Sequence, residues 1–212
     1  MKKLITLSVI LLTFCQPVQA HPHSWLQLTT DFVIDNNGDI KQLKQRWIFD
    51  PYYSTLTIDD LKKTHGNLDI GLAIHADGII NNLESFNYYS HLSINNENIP
   101  INRPSKYHLS SASFEQEALL ILEMHFDLPK TAMQSAELKW QVYDPTYYVS
   151  MRHDTAKQVR LYNESTLECE PEIIEAEPDE QLRLYAESLD KTQTETTGLG
   201  KLFAQTVAVR CF

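Results

Sequence analysis

Two alternating segments joined by a tight turn constrain the fold of this chain more than any other feature. Residues 25–34 read WLQLTTDFVI and residues 40–49 read IKQLKQRWIF, and both mix alternation with β-branched and aromatic side chains. Between them lies Asn36-Asn37-Gly38-Asp39, a sequence typical of a hairpin turn. The pair predicts an antiparallel β-hairpin at the start of the folded body.

Strand-like segments recur along the rest of the chain. They cover residues 106–111, 117–126, 137–143, 157–162 and 166–173, and a last one lies within 202–211. Regularly spaced short strands separated by turn residues favour two packed antiparallel sheets. We therefore expect a mainly β fold, an antiparallel β-sandwich-like domain spanning residues 21–212.

Two stretches depart from this pattern. Residues 58–89 carry helical spacing, which predicts a helical insertion whose second helix starts at Asp77 or Gly78. Residues 172–200 are acidic and rich in Thr, Gln and Glu, and surround a short helix predicted at 180–189. The second stretch is expected to act as a linker.

The first twenty residues have the organisation of a secretory signal peptide. Lys2 and Lys3 precede an eleven-residue apolar run, and Val18-Gln19-Ala20 supplies small residues for cleavage. The run is shorter than the roughly 20 residues of a membrane-spanning helix. We expect cleavage after Ala20 and export to the periplasm, with no direct membrane insertion of the mature chain.

Charge and cysteine content agree with that expectation. Without Lys2 and Lys3 the chain keeps 16 basic and 28 acidic residues, a formal charge of −12, which argues against nucleic acid as a partner. Cys169 and Cys211 are the two cysteines that remain after cleavage. In an oxidising compartment they most simply form a disulfide.

Cleavage after Ala20 would make His21 the amino-terminal residue. Its α-amine and imidazole Nδ1 can then chelate one metal ion, and His23 can add a third nitrogen. Such nitrogens suit zinc, nickel, cobalt or copper rather than calcium or magnesium. Pro22 has no N–H to lose, so the square-planar amino-terminal site that uses deprotonated amides is excluded.

Further ligands would have to come from elsewhere in the fold. Asp50 and Asp144 are the preferred carboxylates, because each ends a predicted strand in an Asp-Pro phrase followed by tyrosines. Each aspartate can alternatively cap its own turn. The other candidates are His65, His75, His91, His108, His125, His153 and Asp154. Of these, His125 is expected to be a satisfied strand residue, and His153 to lie with Asp154 in a solvated turn.

The chain lacks the sequence motifs of common catalytic sites. It contains no GxSxG, no HExxH and no glycine-rich phosphate loop. We therefore expect a binding protein rather than an enzyme.

Four phrases in a fixed order carry a resemblance to a known family. They are His-Pro-His-Ser-Trp (21–25), Trp-Ile-Phe-Asp-Pro-Tyr-Tyr-Ser (47–54), Tyr-Asp-Pro-Thr-Tyr-Tyr (143–148) and Phe-Ala-Gln-Thr-Val-Ala-Val-Arg-Cys (203–211). Together they resemble a poorly characterised bacterial family, usually described as the periplasmic component of an uncharacterised ABC-type transport system.

That resemblance implies a periplasmic protein beside a membrane transporter, often a nickel/cobalt permease, and hence a role in handling zinc, nickel or cobalt. The matching positions are His21, His23, Trp25, Asp50, Tyr53, Asp144, Tyr147, Cys169 and Cys211. Many relatives carry a calcium-loop-like segment at the helical insertion, but the corresponding region here has too few oxygen ligands. No calcium is expected, and the helices should form without it.

These observations predict a transition-metal-binding accessory protein of a membrane metal permease or ABC-type transporter. The predicted metal ligands are His21, His23, Asp144 and Asp50. Two alternatives stay open: a copper-dependent oxidase using the same amino-terminal histidine, and a protein-interaction module without metal.

Overall fold

The computed structural model describes residues 22–114, 117–189 and 198–212, and His21 lies outside them. The elements in chain order are β1 (Ser24–Ile34), β2 (Asp39–Phe49), α1 (Pro51–His65), α2 (Leu68–Leu83), β3 (Ser90–Ile94), β4 (Glu97–Ile99), β5 (Lys106–Phe114), β6 (Glu117–Ala132), β7 (Glu137–Val142), β8 (Val149–Arg152), β9 (Val159–Asn163), β10 (Cys169–Ile174), α3 (Glu180–Ser188), α4 (Leu199–Phe203) and β11 (Thr206–Cys211).

The strands form two mostly antiparallel sheets in an open, sandwich-like arrangement, which confirms the predicted fold class. The first sheet has the order β5-β6-β2-β1-β8, with β9 also pairing with β1, and the second has the order β10-β11-β7-β3-β4. The predicted hairpin is present, since Leu28 pairs with Trp47 in an antiparallel register. On its other edge β1 pairs with β8 and β9 in parallel, so this edge departs from the antiparallel expectation.

The core lies where the two sheets and the helical pair meet. Alternate residues of the strands point inward, as in β7, where Leu138, Trp140 and Val142 are buried while their neighbours are partly exposed. The rings of Phe126 on β6 and Trp140 on β7 lie 6.5 Å apart. Burial of such large side chains is the main source of stability of this fold.

The helical segment begins earlier than its sequence pattern predicts. α1 starts at Pro51, directly after β2, and α2 starts at Leu68, so the predicted helix start at Asp77 or Gly78 is wrong. Gly66 ends α1 in the left-handed conformation, and the Asn67 side chain caps α2 by accepting from the Ile70 N–H. One helix therefore follows another with a two-residue connection.

A buried hydroxyl attaches the helical pair to the first sheet. Ser54 on α1 is fully buried, and its Oγ accepts a hydrogen bond of 2.9 Å from the backbone N–H of Leu120 on β6. Around this bond Ile58 and Leu61 of α1 and Ile80 of α2 belong to the same hydrophobic core as the strands. The helices are thus an integral layer of the core.

The C-terminal part differs from the sequence expectation in its boundaries. α3 occupies residues 180–188, in agreement with the predicted short helix, and β10 extends to Ile174 before the acidic stretch. The last strand starts at Thr206 because residues 199–203 form α4 instead. Three short strands, β3, β4 and β8, were not predicted.

The predicted disulfide is confirmed. Cys169 and Cys211 face each other as direct partners on the antiparallel strands β10 and β11, and their sulfur atoms are bonded. The bond fastens the edge strand β10 to the C-terminal strand β11, which itself pairs with β7. It is compatible with an extracytoplasmic location.

Within the described part of the chain, no helix has both the length and the apolar character needed to cross a membrane.

Loss of the disulfide is expected to destabilise the protein strongly. The bond closes a loop of 42 residues, and the loop-entropy relation gives about 4 kcal/mol for that length. We expect Cys169→Ala/Cys211→Ala to lower the free energy of unfolding by that order in a denaturant titration. A reducing agent should produce the same shift in the parent and none in the double variant; an equal response of both would contradict the prediction.

Candidate functional site

An apolar cleft opens at the point where β1 begins. It has a volume of about 840 Å³ and is formed by residues 23–26, by residues 49–53 with Leu56, and by residues 148 and 149. This volume falls in the range of small-molecule sites. We call it the N-terminal cleft, because its first residue, His23, follows the expected cleavage point by only three positions.

His23 is held at the mouth of the N-terminal cleft by Tyr148. The backbone N–H of His23 donates to the carbonyl oxygen of Tyr148 at 2.9 Å, and the two rings lie 4.8 Å apart. His23 belongs to the His-Pro-His-Ser-Trp segment and Tyr148 to the Tyr-Asp-Pro-Thr-Tyr-Tyr segment, so the contact joins two segments whose contacting residues are 125 positions apart. The position of the histidine is therefore fixed by the fold.

Asp50 joins the end of β2 to the start of α1 and lines the N-terminal cleft. Its Oδ1 accepts from the backbone N–H of Tyr53 at 2.9 Å, and its Oδ2 accepts from the Ser24 hydroxyl at 3.1 Å. Pro51 occupies the first turn of the helix, where its missing N–H is not needed. Asp50 is thus a helix cap, and its carboxylate retains lone pairs for a further partner.

Asp144 closes the turn that carries the chain from the second sheet to the first. It is 4% exposed. Oδ1 accepts from the Thr146 N–H at 2.9 Å, Oδ2 accepts from the Val149 N–H at 3.1 Å, and the Thr146 hydroxyl contacts both oxygens. We call residues 144–149 the crossing turn; its carboxylate is committed to the turn itself.

Gly200 on α4 packs directly against the crossing turn. A Cβ atom at this position would lie 1.8 Å from the carbonyl oxygen of Asp144, and the Gly200 N–H donates to the Pro145 carbonyl at 3.2 Å. Only glycine permits this approach. α4 and the turn therefore form one rigid contact, which Tyr147 and Phe203 extend by stacking at 4.2 Å.

The structure brings two of the four predicted metal ligands to one surface. His23 and Asp50 both line the N-terminal cleft, whereas Asp144 is buried in the crossing turn and His21 lies outside the described residues. Among the residues that are described, no three His, Cys, Asp or Glu side chains are grouped to hold a metal ion. A complete site would need donors from His21.

A tyrosine–histidine pair adjoins the N-terminal cleft. Tyr53 stacks on Phe49 at 5.1 Å, and its hydroxyl lies 3.2 Å from Nε2 of His75 on α2. Burial raises the pKa of Tyr53 and lowers the pKa of His75, so both groups are neutral at pH 7. Sequence spacing gave no sign of this pair, because its members lie on different helices.

His153 is buried, so the prediction of a solvated turn is wrong. It is 4% exposed, and its Nε2 lies 2.8 Å from the Thr30 hydroxyl. That hydroxyl donates to Gln45 Oε1 at 2.7 Å, which also accepts from the Trp140 indole at 3.2 Å. Because a hydroxyl has one hydrogen, His153 must donate through Nε2, and its Nδ1 is the unprotonated nitrogen.

The surroundings of His153 oppose its protonation. Burial lowers the pKa of this histidine to about 4, and the hydrogen bond to Gln205 offsets only part of that effect. His125, in contrast, lies on the outer face of the first sheet with Nε2 2.7 Å from a Glu123 oxygen, in agreement with its predicted role as a satisfied strand residue. Neither histidine lines the N-terminal cleft.

Comparisons with known proteins extend along almost the whole chain. The model of a family described as "Protein of unknown function (DUF1007)" matches residues 6–211. An uncharacterized protein of Haemophilus influenzae is 30% identical over 200 residues, which cover 92% of each chain. The match includes all four family phrases, and therefore both the N-terminal cleft and the crossing turn.

Acidification is expected to destabilise the protein through His153. Its folded-state pKa, about 4, lies below the unfolded value of about 6.5, so stability is lost as pH falls through that window. We expect His153 alone to lower the free energy of unfolding by about 2 kcal/mol between pH 7 and pH 5. His153→Gln should remove that part of the pH dependence in urea titrations, whatever its stability at pH 7. An unchanged dependence would refute the assignment.

The two aspartates are expected to differ in their contribution to stability. Asp144→Ala leaves buried N–H groups without an acceptor and should cost about 3 kcal/mol, whereas Asp50→Ala removes one helix cap and should cost about 1 kcal/mol. Thermal unfolding of both variants beside the parent measures the difference. Equal losses would contradict the distinction between a committed carboxylate and a capping one.

Proposed function

The chain belongs to the DUF1007 family, and we propose that it is an extracytoplasmic accessory protein that binds a divalent transition metal at its mature amino terminus for a membrane metal transporter. The observation that carries the proposal is that His23 and Asp50 line the same cleft. His23 would be the third residue of a chain that begins at His21. Its cargo is zinc, nickel, cobalt or copper.

The chemistry of the donor set supports this metal class. The α-amine and imidazole of His21 and the imidazole of His23 give three nitrogens, which favour zinc, nickel, cobalt or copper over calcium and magnesium. Asp50 adds an oxygen on the cleft wall and is already oriented by Ser24 and the Tyr53 N–H. Orientation of a ligand by hydrogen bonds is the usual supporting arrangement of metal sites.

In this proposal Asp144 supports the metal site but does not bind the metal. Its carboxylate is buried and bonded within the crossing turn, while Tyr148 of the same turn holds His23. It therefore acts on the metal site through the position of His23. The ligands retained are His21, His23 and Asp50.

Large exposed apolar side chains around the cleft support a docking role for the same surface. Trp25 is 58% exposed, Tyr52 77%, Leu56 54% and Tyr148 46%. An apolar group of this kind, rimmed by polar residues, is typical of a protein-binding site. It supports delivery of the metal to a permease or ABC-type transporter, and it also favours the second candidate function, an interaction module without metal.

The amino-terminal metal site is tested on the mature protein secreted from cells. Mass spectrometry should give a chain that starts at His21, and calorimetric titration with zinc, nickel, cobalt and copper should give one site per chain. His21→Ala and His23→Ala should each weaken binding at least about tenfold, the loss expected when a metal site is altered even in its outer groups. His108→Ala, on the edge strand β5, is the matched control and should bind as the parent does.

A glycine placed before His21 isolates the contribution of the amine. This variant keeps both imidazoles but moves the α-amine out of the chelate ring, so it should bind about as weakly as His21→Ala. If all of these variants bind like the parent, or if the parent itself binds none of the four metals, the metal function is wrong and the interaction module remains. Oxygen consumption by the copper-loaded protein with a reductant would instead support the oxidase.

A further inference from the structure

A second recess lies on the outer face of the second sheet, away from the residues that form the N-terminal cleft. It has a volume of about 300 Å³, and its lining includes His91, Lys139, Gln141, Tyr143, Lys201 and Thr206. We call it the outer recess. Its lining is polar and comes from β3, β7, β11 and α4, so it is shaped by regular elements and not by a single loop.

The charge of the outer recess is opposite to that of the chain. Among the described residues that line it, two are lysines and none is an aspartate or glutamate, although the whole chain has 28 acidic and 18 basic residues. Lys139 is paired with Glu137 at 2.9 Å, beyond the lining. The Lys201 ammonium has no ion pair with any residue that the structure describes.

A stacked pair of rings forms one side of the recess. His91 and Tyr143 lie 4.2 Å apart with their planes inclined by only 10°, and Nε2 of His91 is buried without a hydrogen-bond partner among the described residues. Burial, together with the nearby charge of Lys201, lowers the pKa of His91. The imidazole is thus neutral at pH 7, and of the two lysines beside it only Lys139 is paired with an acidic side chain among the residues that the structure describes.

Lys201 lines the outer recess from α4, whose backbone is held by a close contact. It follows Gly200, whose close approach to the Asp144 carbonyl fixes α4 on the crossing turn. In the same lining, the amide of Gln141 donates to the Thr206 hydroxyl at 2.9 Å, which leaves that hydroxyl's hydrogen available to a ligand. The outer recess is therefore lined by a charged donor, Lys201, and by the neutral donors of Gln141 and Thr206.

We propose that the outer recess binds a small oxyanion, a phosphate or a carboxylate, whose charge is met by Lys201 and Lys139. Charge-assisted hydrogen bonds of this kind are the strong ones in protein sites. The volume lies at the lower end of the range of small-molecule sites, so a small oxyanion fits within it. The site is separate from the amino-terminal metal site and does not depend on it.

The proposal is tested by titrating the mature protein with inorganic phosphate and, separately, with succinate, at constant ionic strength set by sodium chloride. Binding is followed by the NMR signals of the His91 ring. We expect a saturable shift with at least one of the two anions, and an increase in the pKa of His91 when the anion offsets the charge of Lys201.

Variants of Lys201 decide whether the recess is the site. Lys201→Met should weaken binding about tenfold, the loss of one charge-assisted contact, and Lys201→Arg should restore most of it. Lys63→Met on α1 has the same change of charge at an exposed position and should bind as the parent does.

The outcome separates this site from general attraction of anions to lysines. Equal weakening by Lys201→Met and Lys63→Met, or no saturable shift with either anion, would overturn the proposal. Because the readout contains no metal, the result stands whether or not the amino-terminal site binds one.

Discussion

The crossing turn held by Asp144 is the constraint on which both proposed sites depend. Its carboxylate fixes the path of the chain from the second sheet into the first. Within that path Tyr148 supplies the carbonyl that positions His23 at the N-terminal cleft, and immediately before it Tyr143 stacks on His91 at the outer recess. Two separate surfaces are therefore positioned in part by a turn that one buried carboxylate holds.

The elements with a strong local period could be predicted from the sequence, and those set by packing could not. Alternating side chains revealed β1, β2 and β6, because one face of each strand is buried along its length. β4 and β8 have only three and four residues, too few to establish a period. The start of α2 did leave a local signal, Gly66 followed by Asn67, which is a helix stop and a helix cap in succession.

The two Asp-Pro phrases show that similar local sequence does not predict the same surroundings for an aspartate. Asp50 and Asp144 share their neighbours in sequence, yet one begins a helix beside an open cleft and the other is buried in a turn. The second phrase also packs against Gly200, which lies more than fifty positions further along the chain, whereas none of the described glycines approaches Asp50 in this way. The burial of His153 was likewise missed, because its partners, Thr30 on β1 and Gln205 just before β11, are distant in the sequence.

Folding alone could not complete the proposed metal site. The fold provides His23 and Asp50, but under this proposal the remaining two nitrogens both belong to His21, and one of them is an amine only if the predicted leader is removed after Ala20. Before cleavage the same atom is an amide nitrogen, whose lone pair is delocalised into the carbonyl group, so it is a much poorer metal ligand than an amine. The proposed set is therefore incomplete in the precursor and complete in the mature chain. Under this proposal, binding is confined to the compartment in which the leader has been removed, and the protein cannot retain the metal before export.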